Sequence, residues 1–249
     1  MALSFVGITY GTDLQAQEED STLGISVGIT YWSNYYWRGT PYYSEDGAFF
    51  PTISYDVLKT GLVLSVSAEL AEDWVFDNKA PQAVKDLNAT DFGLDYSYTF
   101  ADMVSLGAGA WYFHTWGTAG RFISWYLSAS AVSIPLSPTL SFSHDYYTDS
   151  KEKEDFYVVL GISHTFALYE AVDLTLGASG GYYRAKSVDK NGISDIDLSA
   201  ALSVTKGIIT YSADFHYLII PSKDYYDFAA SGAKDINRFY SSFGISLSF

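Results

Sequence analysis

Asp214 and His216 stand two residues apart near the C-terminal end, in a stretch where Ile209, Tyr211, Ala213, Phe215 and Tyr217 alternate with smaller or polar residues. In an extended strand both therefore point to one side. An aspartate orienting an imidazole, opposite an acidic pair, is an arrangement that activates water. Asp91 and Asp95, four residues apart in another alternating stretch, are the candidate pair. The same alternation puts Glu69, Asp91, Asp95, Asp145, Asp173, Asp197, Asp214 and His216 on the face that carries Gly, Ser and Thr. Arg38, Arg184 and Arg238 join that face near one rim, and Lys206 lies at a turn. A water-filled interior lined this way prefers cations to anions; arginines and aspartates paired across it would plug it. His144 and His164 fall on the apolar face near strand ends, without a catalytic setting. The sequence carries no glycine-rich phosphate loop and no metal-ligand spacing, so neither metal nor cofactor is expected. The charged stretches 148–154 and 189–192 carry groups that could hold a divalent cation, though the first reads as a solvated loop tip.

The elements that position these residues follow from composition and period. The chain has 249 residues, 18% of them aromatic with 22 tyrosines, 17% charged, and a mean hydropathy of +0.04. A soluble domain carries about a quarter charged residues. Nothing approaches the roughly 18 consecutive apolar residues of a membrane helix. A chain of this kind enters a bilayer only as a closed barrel, which satisfies every backbone polar group within itself. The net charge of −15 excludes a nucleic-acid binder, whose footprint is basic. The absence of cysteine removes disulfides and thiolate metal sites.

Period-2 alternation runs from residue 23 to the end. It is cleanest at 91–100, where Phe92, Leu94, Tyr96, Tyr98 and Phe100 interleave with Asp91, Gly93, Asp95, Ser97 and Thr99. Twelve segments show it, at about 23–37, 48–57, 61–70, 91–100, 104–113, 121–132, 138–147, 155–166, 172–183, 195–205, 208–219 and 238–249. Lengths near ten residues suit a tilted bilayer crossing. The sixth and ninth segments have small residues on both faces, which leaves a count of about ten to fourteen.

The connections alternate between short (58–60, 101–103, 133–137, 167–171, 206–207) and long (38–47, 71–90, 114–120, 148–154, 184–194, 220–237). Transmembrane barrels have that asymmetry, with tight periplasmic turns and long outer loops. An even strand count then puts both termini in the periplasm. Aromatic groups at strand ends, such as Trp32 with Tyr35 to Trp37, Trp111 to Phe113, Tyr146 and Tyr147, Tyr182 and Tyr183, and Tyr225 and Tyr226, read as interfacial girdles. Phe243, Ile245, Leu247 and Phe249 alternate to a terminal phenylalanine, similar to the signal that barrel-assembly machinery recognises. Residues 1–16 read as a truncated secretory signal, apolar but lacking a basic start, ahead of a barrel over 17–249.

At 33–39 the chain reads Ser-Asn-Tyr-Tyr-Trp-Arg-Gly, followed by Pro51-Thr-Ile-Ser-Tyr55 and Gly61-Leu62. This resembles the start of the TorF-type porins, over roughly the first fifty residues of the barrel, and implies a porin-like outer-membrane protein. The expectation is thus an all-β, single, antiparallel up-and-down transmembrane barrel of the bacterial outer membrane. It would act as a porin or small-solute channel with a weakly cation-preferring lumen. Its partners would be outer-membrane lipid and lipopolysaccharide, the assembly machinery and small hydrophilic solutes. The alternatives are a plugged structural or adhesive barrel that binds a partner through its outer loops and, more remotely, a barrel protease of the omptin type using Asp214 and His216.

Overall fold

The computed structural model describes residues 23–41, 47–71, 89–116, 121–148, 154–185, 190–221 and 237–249. The expected leader 1–16, most of the charged stretch 148–154, Asp189, Tyr225 and Tyr226 lie outside the described residues. In chain order the strands are β1 (Ile25–Trp32), β2 (Tyr36–Trp37), β3 (Thr40–Pro41), β4 (Ala48–Asp56), β5 (Leu62–Glu69), β6 (Ala89–Phe100), β7 (Val104–Thr115), β8 (Arg121–Ala131), β9 (Thr139–Tyr147), β10 (Glu154–Tyr169), β11 (Val172–Ala185), β12 (Lys190–Lys206), β13 (Ile209–Ile219) and β14 (Asn237–Ser248). Twelve of them, β1 and β4 to β14, close into one antiparallel barrel in which each strand pairs with its neighbours in sequence; β2 and β3 form a separate hairpin. The seam is closed by β1 against β14, where the Leu23 N–H donates to the Phe249 carbonyl at 2.9 Å and the Phe249 N–H to the Ile25 carbonyl at 2.8 Å.

The alternation sorts side chains as a membrane barrel requires. On β10, Val159 is 1% exposed and its neighbour Leu160 is 62% exposed. The apolar residues Phe92, Leu94, Tyr96 and Tyr98 on β6, and Phe243 and Ile245 on β14, face outward. No helix among the described residues is long and apolar enough to cross a membrane; the crossing elements are strands. Both ends of the described chain sit at the end of the barrel that carries the short connections, hereafter the turn end. Two of these turns place both central residues in the left-handed region, Leu58 with Lys59 and Ala101 with Asp102. That geometry matches the right-handed twist of the strands it joins.

Two differences from the sequence reading matter. The first segment, expected over 23–37, leaves the wall at Trp32, and residues 33–41 turn into the interior. Buried aromatic contacts inside the lumen hold them there. At the other side, β10, β11 and β12 run longer than expected, to 16, 14 and 17 residues. A bulge where β12 gains a residue opposite Gly181 and Tyr182 keeps the outer ends of that pair in register.

Candidate functional site

The loop-end half of the lumen is filled by the β2–β3 hairpin. Arg38 and Gly39 form its two-residue turn, with φ of 52° and 80°. Glycine suits the second position for a further reason. A Cβ at Gly39 would lie 2.7 Å from the Ser194 carbonyl oxygen of the β12 wall. Around the hairpin, Trp32, Tyr35, Trp37, Trp111, Phe113, Phe122, Leu218 and Tyr240 form one buried cluster. Trp37 meets Phe113 edge-on at 6.1 Å, Tyr36 packs on Tyr240 at 5.2 Å and Tyr35 on Phe50 at 5.0 Å. Each such aromatic pair adds about 0.5–1.5 kcal/mol beyond the area it buries. In a membrane barrel these rings are core, because their outward neighbours face lipid.

Arg38 carries the polar half of the attachment. Its guanidinium pairs with Asp145 on β9 through both carboxylate oxygens, Nη1 to Oδ2 and Nη2 to Oδ1, the latter at 2.9 Å; Nη2 also donates to Ser143 Oγ at 3.0 Å. Its Cζ lies over the rings of Trp37 (4.6 Å), Tyr157 (5.1 Å) and Tyr183 (5.1 Å). Burial works against the charge, but the Asp145 carboxylate, with Tyr183 and Tyr147, offsets it, and the guanidinium is held above its ordinary pKa.

A belt of hydrogen-bonded carboxylates surrounds this level. Asp95 accepts from Tyr126 OH at 2.7 Å and Trp111 Nε1 at 3.0 Å. Gly93 and Gly109 make room, since a Cβ at either would collide with the Trp111 or Tyr126 ring. Asp155 accepts from Tyr147 OH at 3.0 Å and Tyr183 OH at 2.9 Å. Asp195 takes Tyr157 OH on both oxygens, at 3.0 and 2.9 Å, and Ser194 Oγ. Asp91 accepts from Ser67 Oγ at 3.4 Å and Asp214 from Ser242 Oγ at 2.7 Å. Glu69 is buried on the same face, and Asp56 is buried on it at the turn end. Such bonds offset the desolvation of each buried carboxylate.

The turn-end half differs. Ser128, Ser130, Thr175, Ser199, Thr205, Thr210 and Ser246 face inward yet stay partly exposed, so solvent reaches them from that end. Thr165 bonds Thr175 at 2.8 Å and Thr205 bonds Thr210 at 3.1 Å across strands. Asp173 lies on this stretch, paired in register with Ser203. The interior is therefore a hydroxyl-lined vestibule capped by an aromatic and carboxylate layer.

His216 is buried as the alternation predicts, but Asp214 is not its orienting partner. Its Nδ1 lies 2.8 Å from Asp197 Oδ2, and its ring stacks on Tyr240 at 4.6 Å and packs on Trp32 at 5.7 Å. Asp91 and Asp95 on β6 do not join it: β14, β1, β4 and β5 separate β13 from β6 on the shorter way round. Each carboxylate has its own donor, and the imidazole is 6% exposed. This is a packing histidine beneath the hairpin.

Arg238 shares a register row with the buried Leu218 and so lies on the lumen side. Arg184 does not. β11 continues without a bulge to Ala185, Tyr183 beside it points inward, and Arg184 is exposed on the outer face, opposite Phe156. His144 and His164 face outward; His144 receives the Trp125 indole N–H at 2.8 Å. Phe243, Ile245, Leu247 and Phe249 lie on the outward register of the closing seam. Sequence reasoning missed Asp155 and Asp195, although the alternation already put both on the inward face, and the phenols of Tyr126, Tyr157 and Tyr183. Among the described residues no group of three or more His, Cys, Asp or Glu is placed to hold a metal ion.

No protein-family model matches the chain, and no curated protein matches it in sequence. Solved structures do. The KdgM porin in complex with disordered oligogalacturonate aligns over 90% of this chain and 99% of its own, at TM-score 0.56 and 15% identity. The NanC porin aligns over 90% and 100%, at 0.55 and 11%. An outer-membrane channel from Pseudomonas putida F1 aligns over 93% and 98%, at 0.54 and 10%. At these identities the likeness is one of fold. Closed barrel, outward apolar belt and polar interior together make this chain a bacterial outer-membrane β-barrel with the fold of the small porins and channels.

Proposed function

We propose that the protein is a gated small-solute channel of the outer membrane, its termini in the periplasm and its long loops outside. The single observation that carries this reading is the division of the lumen. A hydroxyl-lined, solvent-reached vestibule ends on one hairpin, and that hairpin is held to the wall by the Arg38–Asp145 ion pair, the Arg38–Ser143 hydrogen bond and a set of ring contacts. A barrel built only as a scaffold has no need of a polar cavity beneath its plug. The reading as a relative of the TorF-type porins rests on residues 33–39, 51–55 and 61–62, the first of which lie in the cap.

The charge balance sets the preference. Inward carboxylates outnumber the inward arginines, Arg38 and Arg238, among the described residues. A lumen of that sign favours cations. The KdgM structure holds oligogalacturonate, an acidic oligosaccharide; the acidic interior here argues against a polyanion as cargo. Assembly through the terminal strand ending in Phe249, and contact with lipid and lipopolysaccharide, belong to the same proposal.

The close packing of the cap favours one competing reading, a permanently plugged structural or adhesive barrel. Planar-bilayer recording of the refolded chain under a salt gradient separates the two. Discrete openings with a reversal potential on the cation side support the channel. A chain that shows heat-modifiable folding yet never conducts, and does not swell liposomes in small solutes, is a plugged barrel.

A further inference from the structure

The surroundings of Arg38 are more specific than an anchor requires. A guanidinium is planar and delocalised, with parallel N–H donors that match a carboxylate; an ammonium is a compact point charge that does not use that fork. Asp145 meets the fork with both oxygens, and Ser143 Oγ accepts one further N–H. Tyr157 and Tyr183 present their rings to the guanidinium from the wall, at right angles to each other (87°) and 5.9 Å apart. Both rings are tethered at their far ends, because Asp195 holds the Tyr157 hydroxyl and Asp155 holds the Tyr183 hydroxyl. Aromatic faces attract cations, most strongly where water is excluded.

All of these wall residues are buried, and each belongs to β9, β10, β11 or β12, not to the hairpin. The receptor for a guanidinium is therefore part of the barrel, and Arg38 is delivered to it on a separate element, at a turn position with φ of 52° where residues other than glycine are uncommon. Three carboxylates, Asp145, Asp155 and Asp195, stand around this single guanidinium.

We propose that Arg38 is an internal stand-in for the channel's solute, and that the box of Asp145, Ser143, Tyr157 and Tyr183 binds a small solute bearing a guanidinium group when the hairpin withdraws. The inference rests on the channel reading above and supplies the solute class. Solute and Arg38 then compete for one site, so arrival of the solute favours the withdrawn hairpin, and its departure lets Arg38 return.

Single-channel recording with L-arginine and with L-citrulline, its neutral near-isostere, tests this. In Arg38→Ala, arginine interrupts the current at concentrations at least about tenfold below those at which citrulline acts, the scale of one charge-assisted hydrogen bond. Adding Asp145→Asn to that variant abolishes the difference. In the unaltered chain, arginine and not citrulline raises the open probability by displacing Arg38, which keeps the test available if Arg38→Ala does not fold. Equal effects of the two solutes, or none, in a chain that conducts overturn the solute class and leave the channel intact. A folded chain that conducts in neither form removes the channel itself, and the inference with it.

Discussion

A single methyl group at Gly39 should unseat the cap. Gly39 sits at φ 80°, and its Cβ would lie 2.7 Å from the Ser194 carbonyl oxygen and 3.2 Å from the Ser194 carbonyl carbon. The obstacle is wall backbone at the β12 bulge, where Ser194 sits between Ile193 and Asp195, both paired to β11. The left-handed conformation costs an alanine about 1–2 kcal/mol. The contact must then be relieved, and the soft coordinate is the hairpin itself. Lifting the tip breaks the bidentate Arg38–Asp145 pair, and disrupting a buried pair costs about 3–5 kcal/mol. Relief stops wherever partial lifting balances the overlap, so about 3 kcal/mol in total is a cautious sum of strain and lost pairing. At 1.36 kcal/mol per tenfold, the ratio of open to closed should rise roughly 150-fold. Gly207 is the control. It too has a positive φ, 60°, but a Cβ there meets nothing within 4 Å. Gly207→Ala thus carries the same backbone strain with no contact against the cap. Single-channel open probability, measured on protein that shows heat-modifiable folding, should rise in Gly39→Ala and stay at the parental value in Gly207→Ala. If both folded variants gate like the parent, the hairpin is not the gate.

The remaining expectations are narrower. Asp95→Lys and Asp214→Lys should each move the reversal potential toward anions; if reversing both leaves it unchanged, these carboxylates do not face the conduction path. Tyr157→Phe removes the donor that spans both Asp195 oxygens and should cost about 1–3 kcal/mol of stability; a melting temperature equal to the parent's would mean the bond is not made. Deleting Phe249 removes three backbone hydrogen bonds that close the seam with Leu23 and Ile25, each worth about 0.5–1.5 kcal/mol. The unfolded-to-folded band shift on gels should then need a lower temperature to reverse, and a shift indistinguishable from the parent's would refute a closing role.

The barrel was legible because lipid imposes one rule on every strand. Apolar residues must recur at every second position, and a hydrogen-bonded wall leaves few ways to satisfy that. Strands such as β6 and β14 therefore announce themselves, and even the soft sixth and ninth segments are present as β8 and β11. The cap was not legible, for the complementary reason. Inside the lumen there is no lipid to impose a period, and Tyr35, Tyr36 and Trp37, aromatic on both parities directly after β1, read as an interfacial girdle at a strand end. Only the Arg38–Gly39 pair hinted at a two-residue turn, and it is a weak signal beside the Asn-Gly or Asp-Gly pairs such turns favour. Arg184 shows how far the rule carries when it is kept: one residue beyond the expected end of its strand it still obeys the parity of β11 and faces outward. What fails at Arg38 is therefore the assumption that a basic residue at a strand end belongs to the wall. The wall supplies the carboxylates and tyrosines, the hairpin supplies the cation, and the site exists only where the two meet. An alternation argument follows one strand at a time, so it can enumerate the receptor's residues but cannot see that a distant part of the same chain is folded into it.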